Sequence, residues 1–164
     1  MGGLFEFIKI KIFGNKMKIR KIKKSDIPRV FELVYELAVY EKEPQQVTNT
    51  IEKMLHDGFG KNKIFGCFVV EIDGVIQGIS IYYYRYSTWK GKRLYLEDII
   101  VTEAMRGNGL GKILFDRTIE EAKKTECTGM MWQVLDWNEP AINFYRKNFP
   151  TRFDEGWINC HLDF

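Results

Sequence analysis

The chain has 164 residues, of which 45% are hydrophobic and 29% charged, the balance of one folded globular domain and not of a disordered or membrane-embedded chain. Its 25 basic and 22 acidic side chains leave a formal charge of +3, which excludes the strongly basic field that holds nucleic acid. Cys67, Cys127 and Cys160 stand far apart, and His56 and His161 are the only imidazoles, so neither a disulfide framework nor a metal site is expected, and a reducing, cytoplasmic compartment is.

From the N-terminus, Leu4 to Phe13 is too short and too charged for a membrane span or a secretory signal. Its alternation reads as a strand with no clear partner, and Met17 reads as a fresh domain start. Residues 1–16 are therefore expected to be an extension and 17–164 the domain. Lys18 to Ile22 reads as a strand, and Ser25-Asp26 offers capping oxygens to a helix with Pro28 in its first turn. Ile27, Val30, Phe31, Val34, Leu37 and Ala38 then follow helical spacing to about Glu41.

A second helical stretch, Thr50 to Leu55, runs to a glycine turn at Asp57 to Gly60. From Cys67 the pattern changes to strands: CFVVEI, the turn Asp73-Gly74, VIQGISIYYYRY, a loop through Trp89, and LYLEDIIV from Leu94 to Val101. After the glycine-rich loop come a helix to Lys124, a strand from Met130 to Leu135, a short helix from Ala141 to Lys147 and a last strand from Trp157 to Leu162. That order predicts an α/β (α+β) fold with one mixed, mostly antiparallel central sheet and helices on both faces.

The sharpest feature is Arg106-Gly107-Asn108-Gly109-Leu110-Gly111-Lys112, set between an apolar strand and an amphipathic helix. Glycines there let consecutive amides point into one concavity, and the helix adds its unsatisfied donors and positive dipole end, which suits a pyrophosphate. The spacing fits neither a Walker loop nor a dinucleotide fingerprint. Glu97-Asp98 is a second singular feature: in a strictly alternating strand the two cannot both face the core, and one is expected to point to solvent or pair locally.

With these residues in view, the chain resembles the GNAT acetyltransferase superfamily, whose loop pattern is matched by Arg106, Gly109 and Gly111. It is closest to the spermidine/spermine (diamine) acetyltransferase branch, on the segments Glu36 to Glu41, Tyr95 to Asp98, Arg106 to Gly111, Trp137 to Tyr145, and Glu155-Gly156-Trp157. The resemblance implies an acetyl-CoA-dependent N-acetyltransferase, acting by direct transfer on a primary amine of a small cationic acceptor. It implies that Ile99, Ile100 and Val101 pair with the pantetheine arm and that Arg106, Gly107, Asn108, Gly109, Leu110, Gly111 and Lys112 hold the pyrophosphate. Asn138, Glu139, Pro140 and Ala141 would also touch the coenzyme. Tyr145 would be the general acid, Glu97 would lie beside the acceptor amine, and Tyr40, Glu41, Trp89 and Glu155 would surround the acceptor. A homodimer is implied as well.

Elementary chemistry is compatible with these roles. An alkyl ammonium with a pKa near ~10.4 must lose a proton before attack, so Glu97 is expected to bind the cation and pass its proton through water. A leaving thiolate near ~8.5 is well matched by a phenol near ~10 such as Tyr145. Ser87 stands where that branch tends to carry an acidic residue, which leaves a polyamine, a diamine or a lysine-like amino acid open as acceptor. Acetylation of a protein amine, and a non-catalytic coenzyme-binding module, are the alternative readings.

Overall fold

The computed structural model describes residues 11–12 and 15–163; the N-terminal alternation expected for 4–13 otherwise lies outside the described residues. Two compact units are present, Met1–Trp132 and Gln133–Phe164. The first holds one sheet in the order β1 (Lys11–Ile12), β2 (Asn15–Lys21), β3 (Gly66–Ile72), β4 (Val75–Ser87), β5 (Gly91–Val101) and β6 (Met130–Met131). Neighbours are antiparallel except β5 and β6, which run parallel. The mixed, mostly antiparallel sheet with helices on both faces is the expected fold class.

Alternation along the strands decides which layer each side chain joins. Cys67, Val69, Ile79 and Ile81 pack with Ile27, Val30 and Leu33 of α1 (Ile27–Tyr40) and Met54 of α2 (Ile51–Phe59). Phe68, Val70 and Tyr82 point the other way, to Leu110, Leu114 and Ala122 of α3 (Leu110–Lys124). The Asp73-Gly74 turn has φ values of 50° and 82°, the left-handed pair that matches hairpin twist.

Local differences from the sequence reading have physical causes. Asp26 does not cap α1 with its side chain; its carboxylate takes the amide of Lys23 at 2.7 Å and the guanidinium of Arg20 at 2.6 and 3.0 Å. Arg20 also bonds Glu71, so three half-buried charges satisfy one another between β2, β3 and the start of α1. The second helix is capped by Thr50 and continues through Gly58 to Phe59, into the expected glycine turn. The strand expected from Met130 to Leu135 is only Met130–Met131.

α3 is seated on the sheet by a close approach and a buried bond. A Cβ on Gly78 would lie 2.9 Å from the Ile100 carbonyl oxygen and 3.1 Å from both Leu114 and Val70. The Ser80 and Thr118 hydroxyls meet at 2.9 Å beside it. In the second unit, Asn138 caps α4 (Glu139–Asn148) by accepting from the Ala141 amide at 3.3 Å. The strand expected from Trp157 to Leu162 does not form: residues 149–163 carry no regular structure and Trp157, Ile158 and Leu162 are exposed. Their alternation finds no ladder partner among the described residues, and a strand without one does not hold.

Candidate active site

The site is built around an irregularity in β5. Ile81 pairs with Asp98 and Tyr82 with Leu96, so Glu97 is an extra residue with no partner on β4, a β-bulge. The bulge switches the faces of the strand. Leu94 belongs to the α3-side cluster while Ile100 belongs to the α1-side cluster, although an even spacing on a regular strand keeps one face.

Glu97 and Asp98 consequently share the α1 side in place of the opposite faces of a regular strand, and Glu97 is the one that points to solvent and pairs locally, as expected. The Glu97 carboxylate is exposed and accepts from the Tyr83 hydroxyl. Tyr83 in turn packs on Tyr95 with ring centroids 5.1 Å apart, and burial, followed by the Glu97 charge, raises both phenols. Asp98 is half-buried in the row of Ile100 and opposite Ile81. Burial, with the charges of Glu97 and Glu41 adding to it, pushes its carboxyl up to about 7.

Glu41 terminates α1 as its C-cap, and burial raises it too. The chain thus brings Glu41, Glu97 and Asp98 to one end of the α1-side layer, with Tyr40 on the last turn of the same helix. Asp98, Tyr83 and Tyr95 were missed as site residues by the sequence reading. The signal for them was the acidic doublet itself, which on an otherwise apolar strand marks a break in alternation.

Three residues past the bulge, β5 ends in the glycine-rich loop. A 3-10 turn (Glu103–Met105) leads to Arg106, then Gly107 and Gly109 at φ 80° and 79°, and α3 starts at Leu110. Only glycine takes that backbone freely, and a Cβ at either position would meet nothing within 4 Å. The glycines therefore serve backbone conformation and leave open space above the loop.

Among the described residues, the amides of Gly107, Asn108, Gly109, Leu110 and Gly111 have no backbone acceptor. The loop is braced from below. Arg106 Nε donates to the Val101 carbonyl at 3.1 Å and its guanidinium lies 5.1 Å from the Tyr40 ring centroid. Asn108 donates to the Met105 carbonyl at 3.1 Å, and the Thr102 hydroxyl donates to Gln77 at 2.7 Å. A fixed concavity of donors at a helix N-terminus suits a phosphate or diphosphate. Lys112 pairs with Asp116 one turn on.

The ladder between β5 and β6 ends at Tyr95 and Met131. Ile99, Ile100 and Val101 pair with Ser80, Ile79 and Gly78 on one side and have no ladder partner on the other among the described residues. An extended, amide-bearing ligand can add to such an edge as a strand does.

Trp89 is not brought to this cluster. It sits 85% exposed at the tip of the β4–β5 hairpin, and Glu97 lies six residues beyond Gly91, about 20 Å along an extended strand. The remaining expected residues belong to the second unit. Tyr145 is buried on α4, its ring edge-on to Phe144 at 5.3 Å. Asn138, Glu139, Pro140 and Ala141 form the capped start of that helix, and Glu155 is exposed in the segment after it.

Comparison with known proteins adds the following. A sequence model of the Acetyltransferase (GNAT) family matches residues 27–149. The chain is 37% identical over 158 residues to the thialysine N-epsilon-acetyltransferase of Mus musculus, covering 89% of this chain and 92% of that protein. It is 35% identical over 149 residues to the spermidine/spermine N(1)-acetyltransferase-like protein 1 of Homo sapiens, covering 85% of this chain and 21% of that longer protein. Among solved structures, the aminoglycoside N-acetyltransferase AAC(6')-Iy in complex with CoA superposes with a TM-score of 0.72 at 18% identity, covering 93% of this chain and all of that one; that likeness concerns the fold.

Proposed function

The chain belongs to the GNAT acetyltransferase family, and from that premise we propose that it transfers the acetyl group of acetyl-CoA to a primary amine of a small cationic acceptor, a diamine, polyamine or lysine-like amino acid. The observation that carries the acceptor class is the bulge at Glu97, which gathers Glu97, Asp98 and Glu41 at one end of a layer without a basic residue acting on Asp98. A site of that charge attracts an ammonium. The names of the thialysine and spermidine/spermine relatives support the same class.

The residues fit the co-substrate. Open space above Gly107 and Gly109 and the unengaged amides from Gly107 to Gly111 suit the diphosphate, with Arg106 bracing the loop. The free edge of Ile99, Ile100 and Val101 suits the amides of the pantetheine arm, and an amide at the bulge end would polarise the thioester carbonyl as charge develops there. Asn138, Glu139, Pro140 and Ala141 serve as further coenzyme contacts.

In the proposed reaction the acceptor ammonium lies against Glu97, passes a proton through water held there to solvent, and the neutral amine attacks the carbonyl directly. Tyr145 then protonates the departing thiolate. Tyr40, Glu41 and Glu155 hold the remainder of the acceptor. Trp89, at the hairpin tip, contributes to an acceptor in the assembled protein, which we propose to be a cytoplasmic homodimer; a solution mass of one chain would contradict the dimer. Among the described residues no helix is long and apolar enough to cross a membrane.

The test is a panel of putrescine, spermidine, thialysine, lysine and ornithine, each mixed with acetyl-CoA while free thiol is measured. Turnover on at least one, with catalysis faster than on a lysine-containing peptide, is expected. Thiol release with none of them would remove the small-amine reading.

A further inference from the structure

The carboxyl of Asp98 has no hydrogen-bond partner among the contacts that define the site, yet the bulge directs it into the acidic end of the α1-side layer and not to solvent. We propose that Asp98 is a proton-linked positioning residue of the acceptor site: a cationic amine that settles among Glu41, Glu97 and Asp98 expels one proton from the Asp98 carboxyl to solvent. The proposal rests on the small-cation reading above and says how that site responds to its ligand.

Asp98 stands in line with Ile100 and directly opposite Ile81, two apolar residues of the α1-side core, so water solvates its ionised form poorly. Glu97 is its neighbour on the bulge and Glu41 reaches it from the end of α1.

The other ionisable groups around it supply no compensating charge. From β3 comes the buried Cys67 thiol, raised by its burial with Asp26 and Asp98 contributing. From β4 comes the Tyr83 phenol, which is engaged with Glu97, and from β5 the Tyr95 phenol. Among the described residues no cation acts on the Asp98 carboxyl: Arg20 is held by Asp26 and Glu71, Arg106 by the Val101 carbonyl and the Tyr40 ring, Arg85 lies over the Tyr95 face, and Lys42, next to Glu41, has an interaction of its own.

With three carboxyls together and no cation acting on Asp98 among the described residues, the cheapest relief available to the empty site is to keep a proton on Asp98, where burial is greatest. An arriving ammonium supplies the missing positive charge and favours the ionised carboxyl, so the proton leaves. No covalent bond forms or breaks in this step, and the ammonium stays charged. Asp98 thereby holds its proton to a higher pH in the empty site than in the filled one, which couples acceptor affinity to pH around neutrality.

Calorimetry counts such protons. Putrescine is titrated into the protein saturated with CoA, which has no acetyl group to give, in buffers of different ionisation enthalpy. Alkyl ammonium groups near ~10.4 contribute no proton of their own at pH 7. The expected release is about half a proton per acceptor at pH 7, falling to none by about pH 8.5, because a carboxyl near 7 is half ionised at neutrality and fully ionised well above it.

Asp98→Asn should bind putrescine with no release at either pH. Glu41→Gln, which removes one like charge, should keep the release but move its midpoint to lower pH, and serves if the first variant does not fold. Saturable binding without proton release in the parent, or equal release in Asp98→Asn, would overturn the Asp98 assignment alone. Absence of saturable binding by either putrescine or spermidine would overturn the acceptor reading and this proposal with it.

Discussion

At the scale of single residues, the site depends on side chains whose roles differ although their chemistry is similar. Tyr83, Tyr95 and Tyr145 are all phenols, but only Tyr145, the proposed acid, lies on α4 after the Asn138 cap. Tyr145→Phe should lower kcat by ~10²-fold or more, as the loss of a general acid does, and leave KM for acetyl-CoA within a factor of about two; steady-state kinetics at saturating acceptor checks this, and an unchanged kcat would remove Tyr145 from the chemistry. Glu97 and Asp98 show where the sequence stops being informative. Their identity and neighbourhood were legible, but alternation assigned them opposite faces, and a bulge is invisible to periodicity because one inserted residue changes the register without changing composition. Asp26 is a similar case: it reads as a helix cap and is instead held by Arg20, a partner six residues back on a different element.

At the scale of elements, what the sequence reading recovered well had strong local signals. The amphipathic spacing of α1, the Asp73-Gly74 hairpin and the glycine loop before α3 all carry their instructions within a few residues. The strands expected at 130–135 and 157–162 lack such signals beyond apolar character; their formation depends on a ladder partner that local sequence does not supply. The seating of α3 was also not legible, since nothing near Gly78 in the sequence indicates that Leu114 presses against it. That contact orients the start of α3 and with it the donor cradle at Gly107 to Gly111. Gly78→Ala should cost about 1–3 kcal/mol by overpacking, because backbone at Ile100 faces the new methyl. Denaturant titration measures the loss, and an accompanying rise in KM for acetyl-CoA is expected; a variant as stable as the parent would show that the helix is free to shift.

At the scale of the whole molecule, the described sheet carries its core on both faces, and the Arg20–Asp26–Glu71 group ties β2, β3 and α1 together at one side. Arg20→Ala leaves two half-buried carboxylates without their cation, and a loss of about 3–5 kcal/mol is expected. Hydrogen bonding to Arg20, before all else, lowers the Asp26 carboxyl below its ordinary value. Such a group adds stability above the unfolded carboxylate range and loses it as pH falls through the folded value. The parent's advantage over Arg20→Ala should therefore be full at pH 7 and shrink below about pH 4, which thermal unfolding at several pH values reads directly; an advantage unchanged by acid would place the stabilisation elsewhere. The half-open β5 carries a different consequence. A strand border with idle main-chain groups is adhesive towards any stray extended peptide, so a coenzyme held there, as proposed, would also seal it. Protein stored without CoA should scatter more light over time than protein stored with it, and equal clarity in both would mean that the border is already shielded.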